Sequence, residues 1–140
     1  FDSTYVVDAK IQETPDSLPF KMKTTTDDPA DFRMFGKLVF KLNDKQYTLT
    51  AYENLDYLDV EGYENYLFLP FLDRTNGFET YGGGRYIDLY QYDNDSILID
   101  FNRAYNPQCV YDENFSCPIV PRKNLLNIRV EAGVKNFVKN

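Results

Sequence analysis

Residues 31–53 have the sequence DFRMFGKLVFKLNDKQYTLTAYE, in which apolar and polar side chains alternate on both sides of a turn. Before the turn, the apolar side chains share one parity: Phe32, Met34, Leu38, Phe40 and Leu42. After Asn43-Asp44-Lys45 the alternation resumes, with Tyr47, Leu49 and Ala51 on one parity. A period of two is typical of a strand with one buried face. The stretch therefore predicts a β-hairpin.

Shorter alternating runs occur along the rest of the chain. A second hairpin is predicted around Asp93-Asn94-Asp95, between strands at residues 85–92 and 96–101. Further strands are predicted at residues 5–11, 20–25, 66–71 and 125–131, and short helices at residues 54–58 and in the C-terminal tail. About eight short antiparallel strands separated by turns are typical of a β-barrel or a β-sandwich. The sequence therefore predicts an all-β fold, with residues 1–140 forming one compact domain that carries a long ordered loop.

The composition excludes several kinds of function. The chain has 140 residues, a formal net charge of −7 and no histidine. Without histidine it has neither a Ser-His-Asp nor a Cys-His catalytic site, nor a common histidine-based zinc site. The negative charge and the absence of a Lys/Arg cluster argue against nucleic-acid binding. No apolar run approaches the roughly 20 residues of a membrane-spanning helix. We expect neither a cofactor nor a resident metal ion.

The most unusual composition lies between residues 73 and 121. Asp73-Arg74-Thr75-Asn76-Gly77 predicts a turn in which the aspartate side chain accepts a hydrogen bond from the backbone two residues on. A run of glycines, Gly82-Gly83-Gly84, precedes Arg85. It suits either a bulge at the start of a strand or an anion site built from backbone N–H groups and Arg85. The bulge is favoured, because glycine runs mostly serve backbone geometry.

A polar cluster follows the second predicted hairpin. The sequence DFNRAYNP at residues 100–107 places Asp100 and Asn102 on one face of a strand end, and Tyr105 and Asn106 come directly after them. This set provides donors and acceptors where the chain leaves the sheet. It can either hold an ordered loop in place or bind a ligand, and the sequence does not distinguish the two.

Two cysteines, Cys109 and Cys117, lie just beyond this cluster. Their separation suits a disulfide across a small loop, which would add about 2–3 kcal/mol of stability. A metal site would need carboxylates from residues 112 or 113, and a nucleophilic thiol would need an activating partner. We therefore favour a disulfide or structural thiols over a metal site, and a metal site over a nucleophile.

The motif FLPFxDxTxGxETYxGGRY at residues 68–86 resembles the bacterial and archaeal family called domain of unknown function 1684. The sequences DFNxAYNPxC at residues 100–109 and SCP at residues 116–118 resemble the same family. Many of its members carry export signals, so the resemblance implies a secreted, periplasmic or lipid-anchored protein with an oxidised cysteine pair; a cytoplasmic protein is the alternative. The chain begins with Phe1 rather than Met, so we expect that an N-terminal segment has been removed. The family implies no activity.

Three functions remain open at this level. The favoured one is a module that binds a small molecule or a protein through Tyr81, Arg85, Asn102, Tyr105 and Asn106. The first alternative is a histidine-independent hydrolase or lyase, with Asp73, Glu79 and Asp100 as acid/base groups and Arg85 and Asn102 holding the substrate. It requires these groups to converge on one cavity. The second alternative is a purely structural polar network. Whether the protein is an enzyme stays open.

Overall fold

The computed structural model describes residues 1–14 and 17–136. In this part of the chain the regular structure consists of seven β-strands and short 3₁₀ turns, which confirms the predicted all-β class. The strands are β1 Val6–Glu13, β2 Phe20–Met22, β3 Ala30–Leu42, β4 Lys45–Asn54, β5 Tyr66–Phe71, β6 Arg85–Tyr90 and β7 Ser96–Asp100. They form one antiparallel sheet in the order β6-β5-β4-β3-β1-β7, and β2 pairs with the first residues of β3.

The hairpin of β3 and β4 is the longest paired unit of the sheet, and it confirms the first prediction. Its strands are joined by Asn43 and Asp44, whose φ angles are 52° and 64°. Two successive left-handed residues form the tight turn whose twist matches that of the flanking strands. Asn and Asp tolerate this conformation better than other residues that carry a Cβ. The turn therefore fixes the register from Leu42↔Lys45 outward.

A bulge in β3 divides the hairpin into two halves. Side chains of the same parity on β3 point to opposite faces of the sheet in the two halves. Met34 pairs with Tyr52, but Gly36 pairs with Ala51, so Phe35 is an extra residue on β3. Because Tyr52 and Ala51 lie on opposite faces of β4, the bulge reverses the parity of β3. The expectation that the apolar side chains of β3 share one face is therefore wrong. Glycine is needed at the bulge, where a Cβ on Gly36 would lie 2.7 Å from the carbonyl oxygen of Gln12 on β1.

The two faces bury two separate hydrophobic clusters. The main core lies on the inner face of the curled sheet and includes Leu38, Phe40, Leu49, Leu69, Ile87, Ile99 and Phe101. The second cluster lies on the other face, and its buried members are Met22, Phe32, Tyr52, Phe68, Tyr86 and Val120. The bulge explains why Phe32 belongs to the second cluster and Leu38 to the first.

The sheet curls into a half-barrel whose edges approach each other. Some Cα atoms of β6 and β7 lie within 8 Å, but β7 pairs with β1 rather than with β6. The predicted hairpin around Asp93-Asn94-Asp95 is therefore wrong, because residues 91–95 connect opposite edges of the sheet. Beyond β7, Tyr105 pairs with Tyr86 of β6, and each backbone N–H donates to the other's carbonyl oxygen at 2.9 Å.

The remaining predictions have mixed outcomes. Strands at residues 5–11, 20–25 and 66–71 correspond to β1, β2 and β5, with shifted ends for the first two. Residues 125–131 form no strand: Leu125 makes one bridge to Leu72, and the segment is held mainly by side chains. The helix predicted at residues 54–58 is a 3₁₀ turn, Leu55–Tyr57. The tail prediction extends into residues 137–140, outside the described part.

Within residues 1–14 and 17–136, no helix has the length and apolar character that crossing a membrane requires.

Candidate functional site

The turn that follows β5 is organised by Asp73, which is almost completely buried. Its carboxylate accepts hydrogen bonds from the backbone N–H of Thr75 at 3.3 Å and from the Thr75 hydroxyl at 2.8 Å. It also accepts from Asn76 Nδ2 at 3.0 Å and from the backbone N–H of Val130 at 2.7 Å. The predicted aspartate turn is therefore present. The bond to Val130 additionally anchors the C-terminal segment.

Arg85 lies beside Asp73 and has no exposed surface. Its Nη2 atom is 3.6 Å from Asp73 Oδ1 and donates to the carbonyl oxygen of Val130 at 3.1 Å. Its Nη1 atom donates to the carbonyl oxygens of Ala132 and Val134 at 2.6 and 3.0 Å. Burial lowers the pKa of Arg85, while the Asp73 carboxylate opposes that shift. Only Nε lacks a partner among the described residues, so the guanidinium mainly serves to hold residues 130–134.

The glycine run before β6 forms a turn rather than a bulge. The backbone N–H of Gly84 donates to the carbonyl oxygen of Tyr81 at 3.1 Å, and the β5–β6 register continues unbroken to Phe71↔Arg85. Gly84 has a φ of +95°, and a Cβ there would lie 2.6 Å from the carbonyl oxygen of Phe71. Tyr81 is half-buried over Gly83; burial, and then the nearby thiols, raises the pKa of its hydroxyl. The glycine run therefore lets the backbone at Gly84 lie close to the backbone of Phe71.

Glu79 lies on the rim of a cavity of about 180 Å³ that Arg85 also lines. Its carboxylate is exposed and pairs with Arg129, and this hydrogen bond holds the pKa of Glu79 below its ordinary value. Asp73 and Asp100 do not line this cavity. The cavity therefore brings Arg85 together with only one of the three candidate acid/base groups, Glu79.

Asp100 and Asn102 lie together at the end of β7, as predicted, and they hold the N-terminus. Asp100 Oδ1 accepts from the backbone N–H and from Nδ2 of Asn102, at 3.0 and 2.9 Å. Asn102 in turn accepts from the backbone N–H of Asp2 at 2.9 Å and donates to the Asp2 carbonyl oxygen at 2.8 Å. Asn106 is buried, and its Nδ2 donates to the Tyr111 hydroxyl and to the carbonyl oxygen of Lys135. These contacts hold chain segments together.

The three candidate carboxylates thus occupy different surroundings: Asp73 is packed, Glu79 is exposed, and Asp100 caps a 3₁₀ turn. The convergence that a hydrolase or lyase requires is absent among them. Within the described residues, no group of three or more Cys, Asp or Glu side chains is arranged to hold a metal ion.

Cys109 and Cys117 are neighbours, but the structure has them as free thiols, so the expected disulfide is not present. The backbone N–H of Cys109 donates to Cys117 Sγ at 3.0 Å. Cys117 is buried, and burial raises the pKa of its thiol to about 11, with a further contribution from Cys109. The loop that contains the two cysteines is fixed to residues 23–25, since the backbone N–H of Thr25 donates to the Cys117 carbonyl oxygen at 3.0 Å.

An aromatic groove on the outer face of β3 to β6 is the feature that sequence reasoning missed. It has a volume of about 210 Å³ and lies between the Leu55–Tyr57 turn and the cysteine loop. Its aromatic lining consists of Phe32, Tyr57, Tyr66, Phe68, Tyr86, Tyr105 and Phe115, and Asn54, Gln108, Ser116, Cys117 and Pro118 complete it. Of the candidate residues from the sequence, only Tyr105 and Cys117 line this groove.

The rings of the aromatic groove contact one another in two runs. The first passes from Phe68 to Tyr86 at a centroid distance of 4.7 Å and from Tyr86 to Tyr105 at 5.8 Å. The second joins Tyr57 and Tyr66 at 5.9 Å. Edge-on and tilted arrangements of this kind are the favoured geometries of aromatic pairs. The rings are therefore preorganised by packing on the rigid sheet.

Asp88 of β6 joins the two runs. Its Oδ1 atom accepts hydrogen bonds from the hydroxyls of Tyr66 and Tyr105, at 2.8 and 2.7 Å. Burial raises the pKa of both hydroxyls, and the Asp88 carboxylate raises them further, so both tyrosines stay protonated. The hydroxyl of Tyr86 is used elsewhere, on the carbonyl oxygen of Pro118. The groove is thus aromatic, with one carboxylate at its edge.

A sequence signal for this groove existed. Tyr66, Phe68, Tyr86 and Asp88 lie on the parity opposite to the main-core residues of β5 and β6, which include Leu67, Leu69, Ile87 and Leu89. Aromatic side chains on an outward-facing parity indicate a second packed or binding surface. The contribution of Tyr57, Tyr105 and Phe115 depends on loops whose positions the sequence does not reveal.

Comparisons with known proteins show which family the chain belongs to. It is similar to an uncharacterised protein of Haloarcula marismortui solved by NMR in solution, with 33% identity and a TM-score of 0.77 over 96% of this chain and 72% of the other. None of the curated proteins compared with the chain matches it. The family model described as "Protein of unknown function (DUF1684)" matches residues 1–135. The motifs quoted above are therefore those of its own family: this chain belongs to the family of unknown function DUF1684.

Proposed function

We propose that this protein is a binding module for a small ligand, and that the ligand occupies the aromatic groove. The observation that carries the proposal is the groove itself, a concave surface lined by seven aromatic side chains on a rigid sheet. Ligand sites are mostly apolar concavities with a few placed polar groups, and here the side chains of Asn54, Gln108 and Ser116 supply those groups. The wider binding site predicted around residues 73–121 contributes one wall, residues 105–118.

The polar residues outside the groove support this assignment. Asp73, Arg85, Asn102 and Asn106 use their side chains on other chain segments, and Asp100 holds Asn102. Two of their buried atoms, Arg85 Nε and Asn106 Oδ1, lack a partner among the described residues, but the other bonds of these side chains are made within the protein, which leaves little for a ligand. In the aromatic groove, by contrast, Tyr57 and Tyr105 are each 37% exposed, and Phe115 is 46% exposed.

The test is a screen by NMR of the isotope-labelled protein with three neutral fragments: indole, cyclohexanol and nicotinamide. At least one should shift the amide resonances of Tyr66, Tyr105 and Ser116 in a saturable way. Gln108→Trp places a ring at the groove edge and should abolish the shifts, whereas Gln46→Trp, at an exposed position of β4, should keep them. Fragment binding that is equal in both variants would contradict the proposal.

We also propose that the protein acts outside the cytoplasm and that Cys109 and Cys117 form a disulfide there. Support comes from the family resemblance and from the proximity of the two sulfur-bearing residues. The reaction converts two thiols to a disulfide and transfers two electrons and two protons to an oxidant, such as a low-molecular-weight disulfide. Incubation with oxidised glutathione should remove both titratable thiols and stabilise the fold by about 2–3 kcal/mol. Persistence of both thiols would contradict the pairing.

A further inference from the structure

The electrostatic character of the aromatic groove follows from its rings. No charged side chain of the described residues lines it. The face of an aromatic ring has a negative potential, and a cation over it is attracted. Tyr66 and Tyr105 both donate their hydroxyl protons to the Asp88 carboxylate, which polarises the phenols and increases the electron density of their rings. The groove is therefore a negative surface without a formal charge in it.

The charges near the groove are predominantly negative, with Arg103 as the exception. Asp88 forms no ion pair within 4 Å among the described residues, although Arg103 lines the adjacent depression of about 230 Å³ with it. Glu64 lines a further cavity that shares Tyr57 and Tyr66 with the aromatic groove. The chain as a whole has a net charge of −7. Apart from Arg103, these charges favour a cation over an anion in the groove.

The scarcity of free hydrogen-bonding groups narrows the ligand further. The hydroxyl protons of Tyr66, Tyr86 and Tyr105 are all engaged with protein acceptors. A ligand group that needs donors, such as a carboxylate or a carbonyl oxygen, would therefore lose hydrogen bonds to water without replacement. A quaternary ammonium group has no acceptor to satisfy and no N–H to place, and its methyl groups pack against rings.

Resting on the small-ligand function proposed above, we infer that the aromatic groove recognises an organic cation with a quaternary or fully alkylated ammonium head group. The rings of Tyr66 and Tyr105 face the cation. The Asp88 carboxylate increases the electron density of both rings through the hydrogen bonds that it accepts from their hydroxyls. A cavity of about 210 Å³ accommodates a trimethylammonium group with part of its substituent. Aromatic cages are the usual means by which proteins bind such cations.

The experiment measures the affinity of the whole chain for three probes of nearly equal shape by NMR titration. Choline is the cation, 3,3-dimethyl-1-butanol is its neutral counterpart, and 3,3-dimethylbutyrate is the anion. Choline should bind at least about tenfold more tightly than the neutral alcohol, because a cation over several rings gains what an uncharged group does not. The shifted amides should include those of Tyr66 and Tyr105.

Variants separate the charge effect from the shape of the groove. Asp88→Asn keeps the acceptor oxygen for both hydroxyls but removes the charge, and should weaken choline binding by about threefold to tenfold while leaving the alcohol unchanged. Arg103→Gln removes the positive charge of the adjacent depression and should strengthen choline binding. Asp8→Asn makes the same charge change on β1, away from the groove, and should have no effect.

The outcomes distinguish this inference from the proposed function. Equal affinity for choline and the neutral alcohol, or tighter binding of the anion, would overturn the cation preference and leave a small-ligand groove. Unchanged choline binding in Asp88→Asn would also overturn the role of Asp88. If choline does not bind, the inference is wrong, and the neutral-fragment screen decides separately whether the groove binds any ligand.

Discussion

The side chain of Asn124 makes hydrogen bonds to backbone groups of β4 and β5 where these two strands do not pair with each other. β4 and β5 share a single pair, Tyr52↔Phe68. Beyond it, the side chain of Asn124 bridges the two strands: Oδ1 accepts from the backbone N–H of Thr50 at 2.9 Å, and Nδ2 donates to the carbonyl oxygens of Thr50 and Pro70 at 2.7 and 2.8 Å. Asn124 has no exposed surface. One side chain thus satisfies three backbone groups that the divergence of the strands would leave unpaired.

Asn124→Ala should therefore lower the free energy of unfolding by about 3 kcal/mol, because it leaves buried backbone groups without partners. Urea denaturation followed by circular dichroism measures the change. Asn127→Ala, at an exposed position where the amide oxygen accepts from Arg74 Nε, should cost about 0.5 kcal/mol or less. Similar losses in both variants would show that the bridge is unimportant.

Arg85 and Asp73 illustrate a buried ion pair that anchors a segment without regular structure. Arg85→Met removes the cation beside a buried carboxylate together with three bonds to carbonyl oxygens, and should cost about 3–5 kcal/mol. Thermal and urea unfolding measure the loss. Arg129→Met, which breaks the exposed pair with Glu79, should cost far less, because water screens exposed ion pairs. Wild-type stability in Arg85→Met would make Arg85 available again as a ligand-binding residue.

At the scale of elements, the hairpin was predictable because side-chain alternation and turn chemistry are local. The bulge at Phe35 and Gly36 was not, because the same run of alternating residues is compatible with a strand that reverses its parity. The strand predicted at residues 125–131 is absent for a related reason: alternation indicates which side chains are buried but not which groups bond the backbone. Leu126 and Val130 are buried as the alternation requires, but among the described residues the segment makes only two backbone hydrogen bonds, to residues 72 and 74, and side chains such as those of Asp73 and Arg85 bond its backbone further along.

The hairpin turn offers a stabilising change. Both Asn43 and Asp44 adopt positive φ angles, which favour glycine at the second position. Asp44→Gly should raise the free energy of unfolding by about 0.5–1 kcal/mol, measured by urea denaturation. The comparison is Asp93→Gly, in a loop without positive φ, where the carboxylate accepts from the backbone N–H of Asp95 at 2.8 Å. That variant should be destabilised, and a gain in both would contradict the turn argument.

At the scale of the whole molecule, the tyrosines couple stability to alkaline pH. Burial raises the pKa of Tyr52 from 10.0 to about 12 and also raises those of Tyr66, Tyr86 and Tyr105. A group whose pKa is raised on folding binds its proton more tightly in the folded state. Its contribution is fully present below the unfolded pKa of about 10 and is lost as the pH rises through the folded value.

The free energy of unfolding should therefore change little with these groups up to about pH 10 and decline above it. Urea denaturation at a series of pH values measures the profile. Tyr52→Phe should flatten the decline, because the phenol that titrates on unfolding is gone. Tyr92→Phe, at a position that is 83% exposed, should leave the profile unchanged. Stability that stays constant well above pH 10 in the wild type would contradict the coupling.

By itself, the sequence determined the all-β class, the central hairpin with its turn, the aspartate turn at Asp73, and the pairing of Asp100 with Asn102. Each depends on residues close together in the chain, where side-chain period and turn propensity act directly. The tertiary structure alone decided that β7 pairs with β1, that Arg85 and Asp73 hold the C-terminal segment, and that Tyr66 and Tyr105 meet at Asp88. The physical reason is that the curl of the sheet brings together residues far apart in sequence, and no local pattern records which edges and loops meet.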